Sequence, residues 1–428
     1  MAIACMFELD IHVIDIATFF LYGVLSDPLY MDIPPGWAED GIDAALYCWR
    51  LKKGLYGCPQ AGHCAQRELT TALAKGDKFA KSEADDCLHV SKDPSTGYAA
   101  CGHFVDDLLC IGDKKGLAKL TTTMTDKFEV TIETNPTIYL GVQIERNRGA
   151  KWLKLHQGAY TAGILSDYQM TNATKVDTPM DIGTAKALME LPMDQGDSAS
   201  ITKFQKFVGC IMWLMKTRPD LLFTVNLLTR FLRCATPTHF QLASQRVLRY
   251  LANTVEYGIV YSPGAAKWVL SAAADADLAG DLTTGRSTSG GSAKVGEFGN
   301  ISAYSSLERK ISTSTGQSET YAMVRLVKEL IWERQILSDL HYPQMAATRA
   351  YCDNDGVVNQ STKSVNHAEA KHYRISQAYV RQAVSHAIIK VCGIHTDDNE
   401  ADMFTKALGP KPFHKHRASV MGPQDRPK

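Results

Sequence analysis

The sequence lacks any uninterrupted apolar run of the roughly 18 residues that a membrane-spanning helix needs. Its N-terminal region is apolar only in patches, which are interrupted at Glu8, Asp10, His12 and Asp15. A secretory signal is therefore not expected. None of the 11 cysteines forms a C-x-x-C pair, and their number is odd. These absences predict an intracellular protein of the cytoplasm or nucleus, with reduced thiols and no membrane association.

The chain also lacks a net charge, since 46 basic residues balance 46 acidic ones. That balance alone argues against a general nucleic-acid binder. The basic residues are unevenly distributed, however, because the stretch 203–249 contains eight of them and one acid, Asp220. The eight are Lys203, Lys206, Lys216, Arg218, Arg230, Arg233, Arg246 and Arg249. The stretch predicts contacts with a phosphate backbone, and the alternative is a pair of amphipathic helices with a solvated basic face.

The 428 residues, of which 45% are hydrophobic, are enough for two to four compact units. Residues 1–118 alternate short apolar runs with turn residues, which predicts mixed strands and helices. The polar stretch 171–202 is rich in turn-forming residues and is predicted to be a connector. Two helices are predicted after it, one from Pro219 toward Arg233 and one over 239–253.

The pattern changes again in the last third of the chain. A strand over 268–274 is predicted to end at Asp275, and a long helix is predicted over 318–340. A further strand is predicted to end at Asp353, and the last helix to carry Asp402. The tail after Leu408 is basic and rich in proline, so it is expected to be loosely ordered.

Four acids stand at the ends of these predicted elements, and Glu319 is the most informative. It lies four residues before Met323, on the apolar stripe of the long helix. A carboxylate there is costly unless it is paired or binds a cation. Each acid alone could be a turn residue, a helix cap or a surface acid. Together, Asp275, Glu319, Asp353 and Asp402 predict a site for two Mg²⁺ ions that hydrolyses a phosphodiester.

A second acidic feature is the tetrapeptide that begins at Phe104, FVDD. Apolar runs flank it on both sides, at 99–103 and 108–111. They predict a β-hairpin with Asp106 and Asp107 at its tip. On the pattern alone, the alternative is an ordinary solvated turn.

The segment 271–408 resembles the ribonuclease H domain of copia-type retrotransposon polyproteins. The resemblance rests on DADLAGD from Asp275, RSTSG from Arg286, QSETYAM from Gln317, YCDN from Tyr351 and ADMFTK from Ala401. It implies a mixed five-stranded sheet with helices. It also implies that the four acids named above are the catalytic metal ligands, with His372 as an auxiliary residue.

The N-terminal part is similar to copia-type reverse transcriptases. The FVDD tetrapeptide resembles the YVDD box of that family. Supporting motifs are DIATFFLYG from Asp15, LYMDIPPGW from Leu29, CWRLKKGLYG from Cys48 and YLGVQI from Tyr139. The resemblance implies that Asp15 and Asp106 bind metal and that Asp107 belongs to the same catalytic site. It further implies that Phe20 and Gln60 take part in nucleotide selection.

The resemblance implies an α/β (α+β) chain with five segments. Residues 1–118 would be a polymerase palm whose fingers are largely missing, and 119–180 a thumb-like segment. Residues 181–266 would be a linker and basic helical connection, 267–408 the ribonuclease H domain, and 409–428 a basic tail. No Lys or Arg precedes Arg50, and few residues precede Asp15, so a truncated element is expected.

The implied activity is RNA-directed DNA synthesis combined with hydrolysis of RNA in RNA–DNA hybrids. Each active site would use two divalent ions, Mg²⁺ or Mn²⁺. The implied partners are an RNA template, a DNA primer, the hybrid and, if the polymerase is intact, deoxynucleoside triphosphates. Two alternatives remain open: a ribonuclease H with an inactive polymerase half, and a non-catalytic transposon relic.

Overall fold

The computed structural model describes residues 1–37, 43, 45–193, 196–262, 268–297, 299–363 and 371–424. Only the backbone is described at Asp77, Lys371 and His372. The described residues form twelve α-helices and 17 strands. None of these helices is both long enough and apolar enough to span a membrane. The predicted mixture of helices and sheets is therefore confirmed.

The helices are α1 (Ala2–Met6), α2 (Ala61–Ala74), α3 (Lys114–Thr125), α4 (Gly158–Asp167), α5 (Ile182–Met189), α6 (Ser198–Leu214), α7 (Leu222–Thr229), α8 (Pro237–Asn253), α9 (Thr315–Asp339), α10 (Asp355–Gln360), α11 (Lys371–Ser385) and α12 (Pro410–Met421). The strands are β1 (Asp10–Ile16), β2 (Val24–Asp32), β3 (Cys48–Lys53), β4 (Phe79–Lys81), β5 (Leu88–Ser91), β6 (Ala99–Phe104), β7 (Asp107–Gly112), β8 (Val130–Thr134), β9 (Ile138–Tyr139), β10 (Val142–Asn147), β11 (Trp152–His156), β12 (Gly258–Tyr261), β13 (Leu270–Asp277), β14 (Thr288–Val295), β15 (Asn300–Leu307), β16 (Thr348–Cys352) and β17 (Ile389–Gly393).

One compact unit comprises Leu9–Pro136 and Gln335–Pro343. Six of its strands form an antiparallel sheet in the order β4-β5-β6-β7-β1-β8. Ile14 of β1 and Leu108 of β7 belong to one buried cluster with Leu69 of α2. Burial of these apolar side chains holds α2 against the sheet, in which β1 and β7 are neighbours. Those two strands carry acids of the predicted polymerase site.

The other compact unit comprises Met1–Glu8, Thr137–Arg334 and Gln344–Lys428. Strands β12-β11-β10-β9 form an antiparallel sheet in it. A larger sheet has the order β15-β14-β13-β16-β17. In that sheet β13, β14 and β15 are antiparallel neighbours, whereas β13, β16 and β17 run parallel. The predicted mixed five-stranded sheet is thereby confirmed.

The segment after Leu408 is a helix, so the prediction of a loosely ordered tail was wrong. Pro410 begins α12, where its missing N–H costs nothing and its fixed φ suits the helix. Phe413, Val420 and Met421 are buried in the same apolar cluster as residues of α6 and α8. The free energy gained by burying these apolar side chains favours an ordered helix, although the proline and basic residues of the segment had suggested a loose tail.

The predicted connector 171–202 is also more ordered than expected, because it contains α5 and the start of α6. Asp181 caps α5 by accepting a hydrogen bond from the Thr184 N–H at 2.9 Å. Asp197 caps α6 in the same way through the Ser200 N–H, also at 2.9 Å. These polar residues therefore begin helices rather than only filling a loop.

Two further boundaries differ from the predictions. The segment from Pro219 is a short 3-10 turn, Pro219–Leu221, followed by α7, which ends at Thr229 before reaching Arg233. Asp275 lies inside β13, paired with Gly290 of β14, and not at the end of the strand. A strand-end acid and an interior acid look alike in the sequence, because the backbone partner that extends the strand is distant in the chain.

Candidate metal centres

The structure brings together the four acids of the predicted nuclease site. Asp275 lies in β13, and Asp353 directly follows the parallel neighbour β16. Glu319 lies in the second turn of α9, and Asp402 in the short 3-10 segment Glu400–Phe404. The prediction that Asp402 belongs to the last helix was therefore wrong. The segment that carries Asp402 is held beside β13 by the Asn399 side chain, which donates a hydrogen bond to the Ala274 carbonyl at 3.1 Å.

The ligand atoms of these acids fall into two overlapping groups. One group joins Asp275, Asp353 and Asp402, whose carboxylate oxygens lie within 4.8 Å of one another. The other group joins Glu319, Asp353 and the Cys352 thiol within the same distance. Asp353 belongs to both groups. Such an arrangement offers oxygen ligands to more than one cation in a small volume.

Burial makes this cluster electrostatically strained. Glu319 is 6% exposed, and its burial and the nearby Asp275 and Asp353 raise its pKa to about 9. Burial and Asp275 raise the pKa of Asp402 to about 7. Burial also raises the pKa of Asp275, although Lys406 and Thr405 oppose it. Several buried carboxylates of like charge are stable in ionised form only beside cations.

Two consecutive residues that the sequence argument did not assign complete the site. The Thr405 hydroxyl donates a hydrogen bond to Asp275 Oδ2. The Lys406 ammonium lies 3.0 Å from Asp402 Oδ1 and 4.0 Å from Asp275 Oδ2. The i,i+4 spacing of Asp402 and Lys406 was a visible signal for this pair. One ammonium cannot balance four carboxylates, so the residues present fit additional divalent cations.

Cys352 lies among the acids, but its thiol is not expected to bind the metal. Burial and the nearby Glu319 raise the pKa of its thiol well above the usual range. The thiol therefore stays protonated, and thiols in that form are poor metal ligands. The oxygen atoms that remain suit hard ions such as Mg²⁺ or Mn²⁺.

The predicted polymerase acids lie at one end of the antiparallel sheet. Asp15 of β1 is paired in register with Asp107 of β7. Asp106 follows Val105 in the turn between β6 and β7, and its carbonyl accepts a hydrogen bond from the Ile16 N–H at 3.0 Å. Burial, Asp106 and Asp15 all raise the pKa of Asp107. In the described residues these three acids do not form a cluster as tight as the nuclease group.

The residues predicted to select nucleotides lie near the same β1 segment. Phe20 belongs to the 3-10 turn Phe19–Tyr22 that follows β1, and its ring meets the Tyr56 ring edge-on at 5.2 Å. Gln60 is exposed and precedes α2. A side chain on Gly62 would lie 3.5 Å from the Phe20 ring, so this ring lies near the first turn of α2.

The basic stretch divides into exposed and structural residues. Lys203, Lys206, Lys216 and Arg233 are exposed. Arg246 lies 3.1 Å from Asp181 in an ion pair, and Arg249 donates a hydrogen bond to the Thr174 carbonyl. Arg230 donates a hydrogen bond to Thr288 at 3.0 Å. Arg230, Arg246 and Arg249 therefore hold segments of the fold together, and neither phosphate contact nor a solvated basic face is needed to account for them.

Arg218 requires a correction, because its predicted contact with nucleic acid is incompatible with its position. It is 1% exposed and lies 2.8 Å from Asp220 in a buried ion pair. A second nitrogen donates to the Thr254 carbonyl at 2.9 Å. The sequence showed one acid among eight bases but could not show that this acid is the partner of Arg218. The remaining auxiliary candidate, His372, lies in α11 with its side chain outside the described residues.

Part of the chain matches a known protein family. A model described as "Reverse transcriptase (RNA-dependent DNA polymerase)" matches residues 1–182. The chain is 29% identical over 412 residues to a retrovirus-related Pol polyprotein from transposon TNT 1-94 of Nicotiana tabacum. It is 32% identical over 413 residues to the Pol polyprotein from transposon RE2 of Arabidopsis thaliana.

These alignments cover nearly all of this chain and a minor part of each relative. They include 95% of the chain and 30% of the tobacco protein, and 96% of the chain and 27% of the Arabidopsis protein. The chain thus spans less than a third of these curated relatives. Among solved structures, a foamy viral protease-reverse transcriptase in complex with double-stranded DNA is similar to this chain. The alignment covers 90% of this chain and 57% of the viral chain. The TM-score is 0.48 and the sequence identity 10%.

Proposed function

We propose that the chain belongs to the copia-type family of retrotransposon Pol polyproteins and acts as an RNA-directed DNA polymerase and ribonuclease H. The nuclease site would hydrolyse the RNA strand of RNA–DNA hybrids. The polymerase site would extend a DNA primer on an RNA template. The observation that carries the proposal is the group of four acids, Asp275, Glu319, Asp353 and Asp402, three of which are buried.

Two divalent ions at the nuclease site would supply an activated water and stabilise the leaving oxygen of the phosphodiester. Asp353 shares a ligand group with Glu319 and another with Asp402, so it would serve both ions. Thr405 would orient Asp275 through its hydrogen bond. Lys406 would keep Asp402 near its ligand position and balance part of the negative charge.

At the polymerase site, Asp15 and Asp106 would hold the two ions for nucleotidyl transfer, and Asp107 would belong to the same site. The pairing of β1 with β7 supports this assignment, since it places Asp15 opposite Asp107, the residue that follows Asp106. Phe20 would crowd the sugar 2′ position of the incoming deoxynucleoside triphosphate. Gln60 would contribute to the same pocket.

The partners would be the RNA template, the DNA primer and the hybrid that they form. A ribonuclease H recognises a hybrid mainly by groove shape, phosphates and 2′-hydroxyls. The exposed Lys203, Lys206 and Lys216 would contact phosphates, and each lost contact would reduce the salt dependence of binding. Arg218 is excluded from this role because it is buried and paired.

The test pairs two assays with two substitutions. Purified protein is supplied with Mg²⁺ and either a labelled RNA–DNA hybrid or a DNA primer on an RNA template. Asp353→Asn is expected to lower hybrid cleavage by more than about a hundredfold, beyond the loss from an outer-shell residue. Asp106→Asn is expected to abolish primer extension and leave cleavage unchanged. Asp397→Asn, on a side chain that is 86% exposed, is the matched control.

Each outcome separates the proposal from its alternatives. Cleavage without primer extension by the unsubstituted chain would establish the nuclease alone, an alternative that the tighter grouping of the nuclease acids favours. If the unsubstituted chain showed neither activity, it would be a non-catalytic transposon relic. Cleavage that survives Asp353→Asn would contradict the assigned metal site.

A further inference from the structure

The Lys406 ammonium lies against one side of the acid group of the proposed nuclease site. Its Nζ is 3.0 Å from Asp402 Oδ1 and 4.0 Å from Asp275 Oδ2. Although burial opposes it, these two carboxylates raise the pKa of Lys406, so the side chain is charged. Among the residues that the structure describes, no basic side chain forms an ion pair with Glu319 or Asp353. The positive charge is therefore concentrated at Asp275 and Asp402.

That side of the acid group is also one of the two positions proposed for a metal ion. It offers the oxygens of Asp275, Asp353 and Asp402, whereas Glu319 and Asp353 belong to the other position. An ion bound to Asp402 Oδ1 at about 2.1 Å would lie within about 5 Å of an ammonium that stays beside the same oxygen. Two cations so close repel each other. The ammonium and the ion therefore compete for this oxygen.

The Lys406 side chain has room to leave the acids. It is 36% exposed and lines a cleft of about 380 Å³ between α5, α7 and the turn that follows β13. Asp277 lines the same cleft and lies two positions after Asp275 in β13, so the two side chains point to the same face of the strand. The Asp277 carboxylate also attracts the ammonium electrostatically. A displaced Lys406 would therefore keep an anionic partner.

We propose that the Lys406 ammonium is an internal cation that takes the place of the second metal ion in the metal-free nuclease site and must move before that ion binds. This inference rests on the proposed nuclease function. Binding of the first ion, at Glu319 and Asp353, meets no competing ammonium. Binding of the second, at Asp275 and Asp402, requires displacement of Lys406. The contact that holds Asp402 in place thus also lowers the affinity of the site for its second ion.

The test counts bound Mn²⁺ from the electron paramagnetic resonance signal of the free ion, at one fixed pH and without nucleic acid. The parent protein carries Asp15→Asn and Asp106→Asn, so that ions of the proposed polymerase site are not counted. It is expected to bind one Mn²⁺ more tightly than a second. Lys406→Met should tighten the second dissociation constant by about tenfold, because it removes a repelling charge about 5 Å away. Lys406→Gln also removes the charge and should have the same effect.

Two control variants separate the charge of Lys406 from its packing and from the charge of the cleft. Lys406→Arg keeps the charge and should leave the second dissociation constant as it is in the parent. Lys186→Met removes a lysine that lines the same cleft and also forms an i,i+4 ion pair, with Glu190. It should change neither constant. Thermal denaturation verifies that each variant is folded.

The sign of the change decides the inference. If Lys406 only positioned Asp402, Lys406→Met would weaken Mn²⁺ binding. That result, an unchanged second constant or an equal tightening by Lys406→Arg would overturn the internal cation, while cleavage of the hybrid would still support the nuclease. In a cleaving protein, Lys406→Met should also lower the Mg²⁺ concentration that gives half the maximal rate. A tighter second ion in a protein that never cuts would support the internal cation and reject the nuclease.

Discussion

Arg218 shows how burial changes the role of a basic residue. Its Nε donates to Asp220 at 2.9 Å, and the Tyr250 hydroxyl donates to the same carboxylate at 2.5 Å. Burial opposes ionisation of Asp220, yet the guanidinium holds the pKa of this carboxyl below its usual range. The pair joins the segment before α7 to α8, because Arg218 also donates to the Thr254 carbonyl. The residue therefore stabilises the fold.

We expect Arg218→Met to lower the free energy of unfolding by about 3–5 kcal/mol, because it leaves Asp220 buried without its partner. Urea denaturation measures the loss. Replacing both members, with Arg218→Met and Asp220→Leu, should recover part of it. Arg233→Met, at an exposed position of the same basic stretch, should change stability little. Equal losses at Arg218 and Arg233 would contradict the structural role.

The raised pKa values of the nuclease acids predict a pH-dependent response to metal. Ordinary pKa values of 4.5 for Glu319 and 3.8 for Asp402 rise to about 9 and about 7 in the fold. The free energy of unfolding of the metal-free fold therefore falls as the pH rises from the ordinary values toward the raised ones, because over that range the unfolded chain ionises these groups and the fold keeps them protonated. Metal needs the ionised forms, so its affinity should increase over the same range.

We therefore expect Mg²⁺ to raise the melting temperature more at about pH 9 than at about pH 6. Calorimetry with and without Mg²⁺ at both values measures the difference. The double substitution Glu319→Gln and Asp402→Asn should remove most of it. An Mg²⁺ effect that is independent of pH in the unsubstituted protein would show that these two carboxyls do not bind the ion.

At the scale of elements, α12 shows why a short helix can escape sequence analysis. Its apolar residues are few, and prolines and basic residues surround them. Phe413 nevertheless lies 6.0 Å from the Tyr250 ring, and the Arg417 guanidinium lies 4.8 Å from the Tyr257 ring. Both partners belong to a distant part of the chain. The helix is thus stabilised by tertiary packing more than by its own propensity.

Phe413→Ala is expected to lower the free energy of unfolding by about 3–5 kcal/mol, since the side chain is 4% exposed and its loss leaves a cavity. Thermal or urea denaturation provides the measurement. Lys411→Ala, in the first turn of the same helix and exposed, should have little effect. If Phe413→Ala were as mild as Lys411→Ala, the segment would be a loose tail after all.

At the scale of the whole molecule, the proposed active sites belong to different compact units. Asp15, Asp106 and Asp107 lie in Leu9–Pro136, and the four nuclease acids lie in the other unit. Each unit also has its own apolar cluster, one containing Leu69 and the other Leu228. Damage to one core should therefore affect one activity first.

We expect Leu69→Ala, at a fully buried position, to lower the temperature at which primer extension is lost while sparing hybrid cleavage. Leu228 is also fully buried, and Leu228→Ala should lower the temperature at which hybrid cleavage is lost while sparing primer extension. Residual activity after brief heating measures both. Parallel loss of the two activities in either variant would show that the units do not lose their structure separately.

The sequence by itself predicted the α/β class from local periodicity, and its short ordered motifs carried the resemblance that implied the five-stranded sheet. It also identified Asp275, Glu319, Asp353 and Asp402 as candidates. Chain order restricts which residues follow strands and helices, so acids at such positions can be recognised before the fold is known.

Only the tertiary structure decided which of these groups meet and which are occupied elsewhere. It brought Thr405 and Lys406 to the acids, removed Arg218 from the candidate nucleic-acid contacts and packed α12 into a core. It also formed the helix α5 within a predicted connector. Ion pairs, caps and cavities depend on partners far apart in sequence, and only folding establishes those distances.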